Sequence, residues 1–250
     1  MNHLTIALAY KDNPHMLVEQ LRALNTYPLP LQRLTRLIVV DDCSPKYPAH
    51  ETVLAACVGP FELEIYRILG EPIPWGQLRA RNLGVHIAPP GSWVLATDID
   101  HVLPAECALK LLEFEPEDGC YYTFARRNAP KDEPTNPHAN SYLMQREWFF
   151  ETVGGCHERA VGYYGTDSIF RARAALFGAS QALPSDIWLR VYNRNGVDIG
   201  GIPGAATNLP RKGSRFHAKN NETIRLWMKR AHLERAHPDH TLQFQWTRTR

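Results

Sequence analysis

Over its first hundred residues the chain alternates short apolar runs with segments of helical periodicity, and this alternation limits the fold more than any other feature. Leu4 to Tyr10 is an apolar run of strand length, and Pro14 then opens a stretch in which Leu17, Leu21 and Leu24 recur at helical spacing. The next strand, Leu37 to Val40, stops at Asp41-Asp42-Cys43-Ser44-Pro45, because unpaired acids stay out of a dry core and proline ends strand pairing. A helix over Ala49 to Cys57, a strand over Leu63 to Ile68, a helix over Gln77 to His86 and a strand over Trp93 to Ala96 follow. Strand and helix in that order predict an α/β fold around a mostly parallel central sheet flanked by helices. In open sheets of this kind ligands sit beyond the carboxyl ends of the strands, which directs attention to Asp41-Asp42 and to Asp98-Ile99-Asp100.

After residue 120 the pattern is less regular. Tyr121 to Ala125 reads as a strand, residues 128 to 140 as a loop rich in Pro and Asn, residues 154 to 165 as a Gly-rich stretch leading into a helix, and Glu222 to Arg235 as a basic helical tail. A length of 250 residues with 44% hydrophobic content suits one substantial core. The net charge of +2 is unevenly spread: residues 211–250 hold ten Lys or Arg against three acids, a net +7, and the other 210 residues sum to −5. Such a segment suits a polyanionic partner, or is a solvated face. Five scattered cysteines (Cys43, Cys57, Cys107, Cys120, Cys156) make neither a disulfide framework nor a zinc pattern, and fit a reducing cytoplasm. No stretch of 18 apolar residues occurs, so no integral membrane association is expected.

Asp98 and Asp100, one residue apart at a strand end, can turn their carboxylates the same way, and two carboxylates attract a hard cation such as Mn²⁺ or Mg²⁺ that fills its shell with water and phosphate oxygens. Alone, this triplet serves equally well as a turn or helix cap. Arg79 and Arg81 lie on the helix expected beneath that strand, and a guanidinium can hold phosphate oxygens in pairs. Arg81 is the phosphate candidate; its alternative is a surface helix arginine. Trp75, Tyr163, Tyr164 and Trp188 are candidate stacking rings for a sugar, or core aromatics. A nucleotidyltransferase or a dinucleotide-dependent dehydrogenase would need a Gly-rich phosphate loop after the first strand, and Ala9-Tyr10-Lys11-Asp12 is not one.

Taken in order, Ala9-Tyr10-Lys11-Asp12, Val39-Val40-Asp41-Asp42-Cys43-Ser44-Pro45, Arg79-Ala80-Arg81-Asn82-Leu83-Gly84 and Ala96-Thr97-Asp98-Ile99-Asp100 resemble the family 2 glycosyltransferases over about residues 4 to 105. The resemblance implies a GT-A, Rossmann-like fold and an inverting, metal-dependent transfer of a sugar from a nucleoside diphosphate, most commonly uridine diphosphate. It implies nucleoside contacts from Tyr10 and Asp42, the latter alternatively a turn carboxylate bonding its own backbone. Asp98 would lie near the ribose or donor sugar, and Asp98 and Asp100 at the metal. Val153-Gly154-Gly155-Cys156-His157-Glu158 and Gly162-Tyr163-Tyr164-Gly165-Thr166-Asp167-Ser168 resemble the family's acceptor segment, which carries the catalytic base over to Asp167 and acceptor contacts to Glu158, Tyr163 and Tyr164. Thr166 and Tyr164 depart from the pattern. Arg215-Phe216-His217-Ala218-Lys219-Asn220-Asn221-Glu222 resembles a segment of galactosyltransferase-like relatives that supplies a metal-binding histidine, here His217.

The resemblance divides the chain into a catalytic domain over 1–210, with a nucleotide-sugar half over about 1–105 and an acceptor half over about 106–210, and a basic segment over 211–250 that completes the site. The acceptor it implies is a saccharide or glycolipid hydroxyl. The +7 segment also suits hydroxylated bases of DNA as acceptor, and the altered Gly segment suits a degenerate protein that binds nucleotide sugar without turnover.

Overall fold

A computed structural model describes residues 1, 3–56, 58–73, 76–136, 140–158, 167–192, 226, 242 and 244–250. The first half follows the expected alternation: β1 (Leu4–Tyr10), α1 (Pro14–Asn25), α2 (Leu29–Arg33), β2 (Thr35–Asp41), α3 (Ala49–Leu54), β3 (Glu62–Ile68), α4 (Gln77–Ile87) and β4 (Trp93–Asp98). Local chemistry sets several of these boundaries. Asn13 caps α1 by accepting from the Met16 N–H at 3.3 Å, and Pro14 fits the first turn, where no N–H is needed. Strands β1, β2 and β3 pair in parallel, and β4 pairs in parallel with the other side of β1.

Helices cover both faces of this sheet, and β1 shows why its sequence is apolar at every position but Thr5. Leu4, Ile6, Leu8 and Tyr10 join the cluster that holds Leu17, Leu21 and Leu24 of α1, whereas Ala7 joins the cluster that holds Leu78, Ala80, Leu83 and Val85 of α4. A side chain at Gly84 would start 3.0 Å from the Ala7 Cβ, so the glycine lets α4 lie close on the sheet.

The second half is β5 (His101–Val102), α5 (Ala105–Glu113), β6 (Cys120–Thr123), β7 (Ala125–Asn128), β8 (Glu133–Thr135), β9 (Tyr142–Gln145), a π-helical turn (Trp148–Thr152), α6 (Asp167–Ala174), β10 (Ala179–Ala182), β11 (Trp188–Val191) and β12 (Trp246–Arg248). The large sheet runs β10-β6-β9-β4-β1-β2-β3-β12, and a small sheet runs β5-β11-β7-β8. Several expectations are corrected here. The single strand expected over Tyr121 to Ala125 is two strands in two sheets, with Phe124 buried at the crossing. The loop expected over residues 128 to 140 carries β8, and the helix expected to reach Cys57 ends at Leu54. The basic helical tail lies outside the described residues apart from Leu226, which is helical, and the last residues form the edge strand β12 against β3. Among the described residues no helix is long and apolar enough to cross a membrane.

Candidate functional site

Strand β1 lies between β2 and β4, so the chain reverses its direction of travel across the sheet beside β1, and open α/β sheets bind ligands at the carboxyl end of such a point. The register gathers the candidate residues there: Tyr10 sits opposite Asp41, and Ala9 opposite Asp98. Tyr10 itself is a core residue, 1% exposed, whose hydroxyl donates to the Tyr47 carbonyl at 2.6 Å and is pushed to a high pKa by burial. The next residue, Lys11, reaches the site instead. Its Nζ donates to the Ile73 carbonyl at 2.6 Å and lies 3.4 Å from Asp42 Oδ2. Sequence reasoning missed Lys11, although its position directly after a strand was the available signal.

The two neighbouring acids, the last residue of β2 and the one directly after it, have different partners. Asp41 accepts the backbone N–H of Ser44 at 2.7 Å and of Ala49 at 2.9 Å, tying the loop to the start of α3. That is the turn role considered for Asp42, and it belongs to the residue before it. Asp42 faces α4, where Arg79 Nε donates to Oδ1 at 2.9 Å and Nη2 approaches the same oxygen at 2.7 Å. Burial pushes the Asp42 carboxyl above the ordinary carboxylate range, against the pull of Lys11 and Arg79. Gly76, before α4, completes this cradle: a Cβ there would lie 2.5 Å from Oδ2 and 2.8 Å from Oδ1 of Asp42.

The second acidic group ends β4. Asp98 Oδ1 accepts from Arg81 Nη2 at 2.5 Å and Oδ2 from Asn140 Nδ2 at 3.1 Å. Arg81 is 2% exposed, so it is no surface arginine; it is a buried cation paired with Asp98. Asp100 follows in the turn after β4, with Oδ1 2.9 Å from His101 Nδ1. Asp98, Asp100 and His101 place one potential ligand atom each within 4.8 Å of one another. Opposite ligands of a single Mn²⁺ or Mg²⁺ stand about 4.2 Å apart, so the span and the oxygen-rich donor set fit one such cation after small adjustments. Sequence reasoning named the two carboxylates and missed His101, which directly follows them.

Asn82, quoted above only within a motif, joins α4 to the Gly-rich segment. Its Nδ2 donates to the Cys156 carbonyl at 2.9 Å and to Glu158 Oε1 at 2.7 Å, and its Oδ1 accepts the Cys156 N–H at 2.7 Å. Glu158 Oε1 also accepts the Leu242 N–H at 2.7 Å, so this acceptor candidate fastens the C-terminal segment as well. Asp167 begins α6, at the end of the Gly-rich stretch as expected. Tyr163, Tyr164, Trp75 and His217 lie outside the described residues. Trp188 is a core ring, 6% exposed, with Arg127 and Arg190 over it at 4.7 and 5.5 Å.

No protein-family model matches the chain, and no curated protein matches it either. Solved structures do share its fold. The mannosyltransferase PcManGT from Pyrobaculum calidifontis, in complex with GDP-Man and Mn²⁺, aligns over 94% of this chain and 66% of its own with a TM-score of 0.62 at 16% identity. Residues 1–349 of Staphylococcus aureus TarS in complex with UDP-GlcNAc align over 93% of this chain and 73% of that one, with a TM-score of 0.61 at 13% identity. Another structure of the same TarS fragment aligns over 76% of this chain and 60% of its own, with a TM-score of 0.57 at 15% identity. The chain thus spans less than two thirds of some of these neighbours, and the likeness is one of fold: a large mostly parallel sheet flanked by helices.

Proposed function

We propose that the chain is a glycosyltransferase of the inverting, family 2 type that moves a sugar from a nucleoside diphosphate to an acceptor hydroxyl. The observation that carries this reading is the meeting of Asp98, Asp100 and His101 at the carboxyl end of β4, beside the point where the sheet order reverses. Fold neighbours that hold GDP-Man with Mn²⁺ in one case and UDP-GlcNAc in another support it.

In this reading the Lys11, Asp42 and Arg79 group and Gly76 shape the nucleoside side, at the ends of β1 and β2. Asp98 and Asp100 hold the divalent cation, Arg81 and Asn140 fix the Asp98 carboxylate, and His217 is a further ligand supplied by the basic segment. A bound Mn²⁺ or Mg²⁺ supplies positive charge against the negative charge that grows on the departing diphosphate. Asp167, at the start of α6, takes the proton from the attacking acceptor hydroxyl. Attack on the face opposite the diphosphate inverts the anomeric centre, so a single carboxylate serves. The acceptor is a saccharide or glycolipid hydroxyl, met by Tyr163, Tyr164 and the 154–158 segment.

The test is release of nucleoside diphosphate from a panel of nucleotide sugars with Mn²⁺ or Mg²⁺, comparing wild type with Asp100→Ala and Asp167→Asn. Metal-dependent release lost in both variants supports the reading. Donor binding with no release across a panel of acceptors refutes it in favour of a protein that only binds nucleotide sugars.

A further inference from the structure

We infer that His101 is a positioning residue that fixes the Asp100 carboxylate for cation binding, and that Arg126 of the small sheet sets the histidine tautomer through which it does so. The inference rests on the cation site proposed above.

The turn that carries Asp100 is held through its backbone by three hydrogen bonds from two residues. The carbonyls of Ile99 and His101 accept from Gln20 Nε2 of α1 at 2.9 and 2.7 Å, and the carbonyl of Asp100 accepts the Tyr192 N–H at 3.0 Å. Gln20 is 3% exposed and His101 2%, so this turn is built into the core while Asp100 projects from it. His101 also pairs with Val191 in β11, which joins the turn to the small sheet.

The imidazole lies between an acid and a base. Nδ1 is 2.9 Å from Asp100 Oδ1, and Nε2 is 3.2 Å from Arg126 Nη1. A guanidinium can only donate, so Nε2 must accept, and the ring proton then resides on Nδ1 and is donated to Asp100. Arg126 is itself fastened, since its Nε donates to the Asn136 carbonyl at 2.7 Å. The chain of donors runs from β7 through the histidine to the acid, and each link orients the next. Hydrogen bonds of this outer kind hold a ligating group in a productive rotamer, and losing one costs about 10- to 100-fold in metal affinity.

The experiment is titration of the full chain with Mn²⁺ alone, followed by calorimetry and by pulsed electron paramagnetic resonance. Asp100→Ala should abolish binding. His101→Phe keeps the ring volume without its hydrogen bonds and should weaken Mn²⁺ by about 10-fold or more, whereas His101→Asn keeps a donor near the Nδ1 position and should recover most of the affinity. Wild-type Mn²⁺ should show no coupling from a coordinated imidazole of His101. If His101→Phe fails to fold, Arg126→Leu tests the same link from its other end, with an expected loss of about threefold or more.

Wild-type affinity in His101→Phe, or in Arg126→Leu where that variant stands in for it, together with lost binding in Asp100→Ala, overturns the positioning role and leaves the cation site standing. A nitrogen coupling that disappears in His101→Phe would make His101 a ligand and overturn the role as well. Failure of the wild-type chain to bind Mn²⁺, or undiminished binding by Asp100→Ala, removes the cation site and the inference together.

Discussion

Arg81 Nη2 lies 2.5 Å from Asp98 Oδ1, joining a helix residue that is 2% exposed to the last residue of a central strand. The contact gives Asp98 a structural duty, the neutralisation of a buried guanidinium. Removing one member of a buried pair leaves a charge inside the protein, which costs about 3–5 kcal/mol, whereas a partly exposed pair contributes about 1 kcal/mol or less. The Asp98 side chain is 19% exposed and meets the buried Arg81 guanidinium, and that of Asp100 is 28% exposed and meets the buried His101 ring. Asp98→Ala, which strands a buried charge, should therefore lower the unfolding free energy by about 3 kcal/mol, and Asp100→Ala, which strands one neutral donor, by about 1 kcal/mol. Urea denaturation of the two variants reads the difference directly, and equal midpoints would show that the Arg81 pair carries no such duty.

Asp41 and Asp42 should separate in the same way along another axis. Asp41 is spent on two backbone N–H groups, so Asp41→Ala leaves the Ser44 and Ala49 amides unsatisfied in a buried setting, at about 1–3 kcal/mol for each lost charged acceptor. Nucleotide should still bind to whatever fraction remains folded. Gly76→Ala, by contrast, drives a methyl group against both Asp42 oxygens without touching these caps. Its expected outcome is a nucleoside diphosphate affinity reduced about 10-fold, equivalent to about 1.4 kcal/mol, at nearly unchanged stability, measured by titration calorimetry beside a thermal melt.

The parallel half of the fold is written in the sequence because its strands carry apolar runs such as Leu37 to Val40 and helices separate them from β1 to β4. Even β2 and β4 were located, although both run on into an acid, Asp41 and Asp98, that apolarity alone would leave out. The second half, where parallel and antiparallel pairs mix, is less legible for a physical reason. Strands such as β7 (Ala125–Asn128) and β8 (Glu133–Thr135) are three or four residues long and half-buried or exposed, so nothing in their composition distinguishes them from loop. Their pairing is decided by what the rest of the chain places beside them. The site shows the same division: the carboxylates and arginines announce themselves by chemistry, whereas Gln20, Asn82 and Asn140 act through hydrogen bonds to residues about 40 to 80 positions away.

Glu147 offers a pH-dependent test away from the site. Partial burial would raise its pKa, but the Gly91 N–H at 3.0 Å and Arg146 Nη1 at 3.0 Å outweigh that effect and hold it below the ordinary value. A folded-state pKa below the unfolded one means that the unfolded chain binds the proton more readily. The stabilisation is complete above the unfolded value of about 4.3 and is lost as pH falls through the lower folded value. Glu147→Gln should therefore be less stable than wild type at pH 7, with the gap closing below about pH 4. A gap that stays constant from pH 7 down to pH 3 would assign the difference to packing.

The C-terminal strand gives the last test. Strand β3 would be an edge of the large sheet, and β12 covers it: the Leu69 N–H donates to the Gln245 carbonyl at 2.8 Å, the Thr249 N–H to the Ile65 carbonyl at 2.8 Å, and the Ile65 N–H to the Arg250 carbonyl at 3.1 Å. Arg248 adds a contact to Glu64 at 3.3 Å, and Trp246 packs edge-on against Tyr66 with ring centroids 5.7 Å apart. Removal of residues 245–250 uncovers a seven-residue strand whose free backbone groups can pair with another copy. The truncated chain should lose exchange protection at the Ile65 and Leu69 amides and associate as its concentration rises, both absent in the full chain. The site at the carboxyl ends of β1 and β4 should keep its Mn²⁺ affinity within about twofold at low concentration, since β2 and β3 stand between it and the removed strand. A truncated chain that stays monomeric with those amides protected would mean that β3 needs no cover, and the strand pairing would then be incidental to stability.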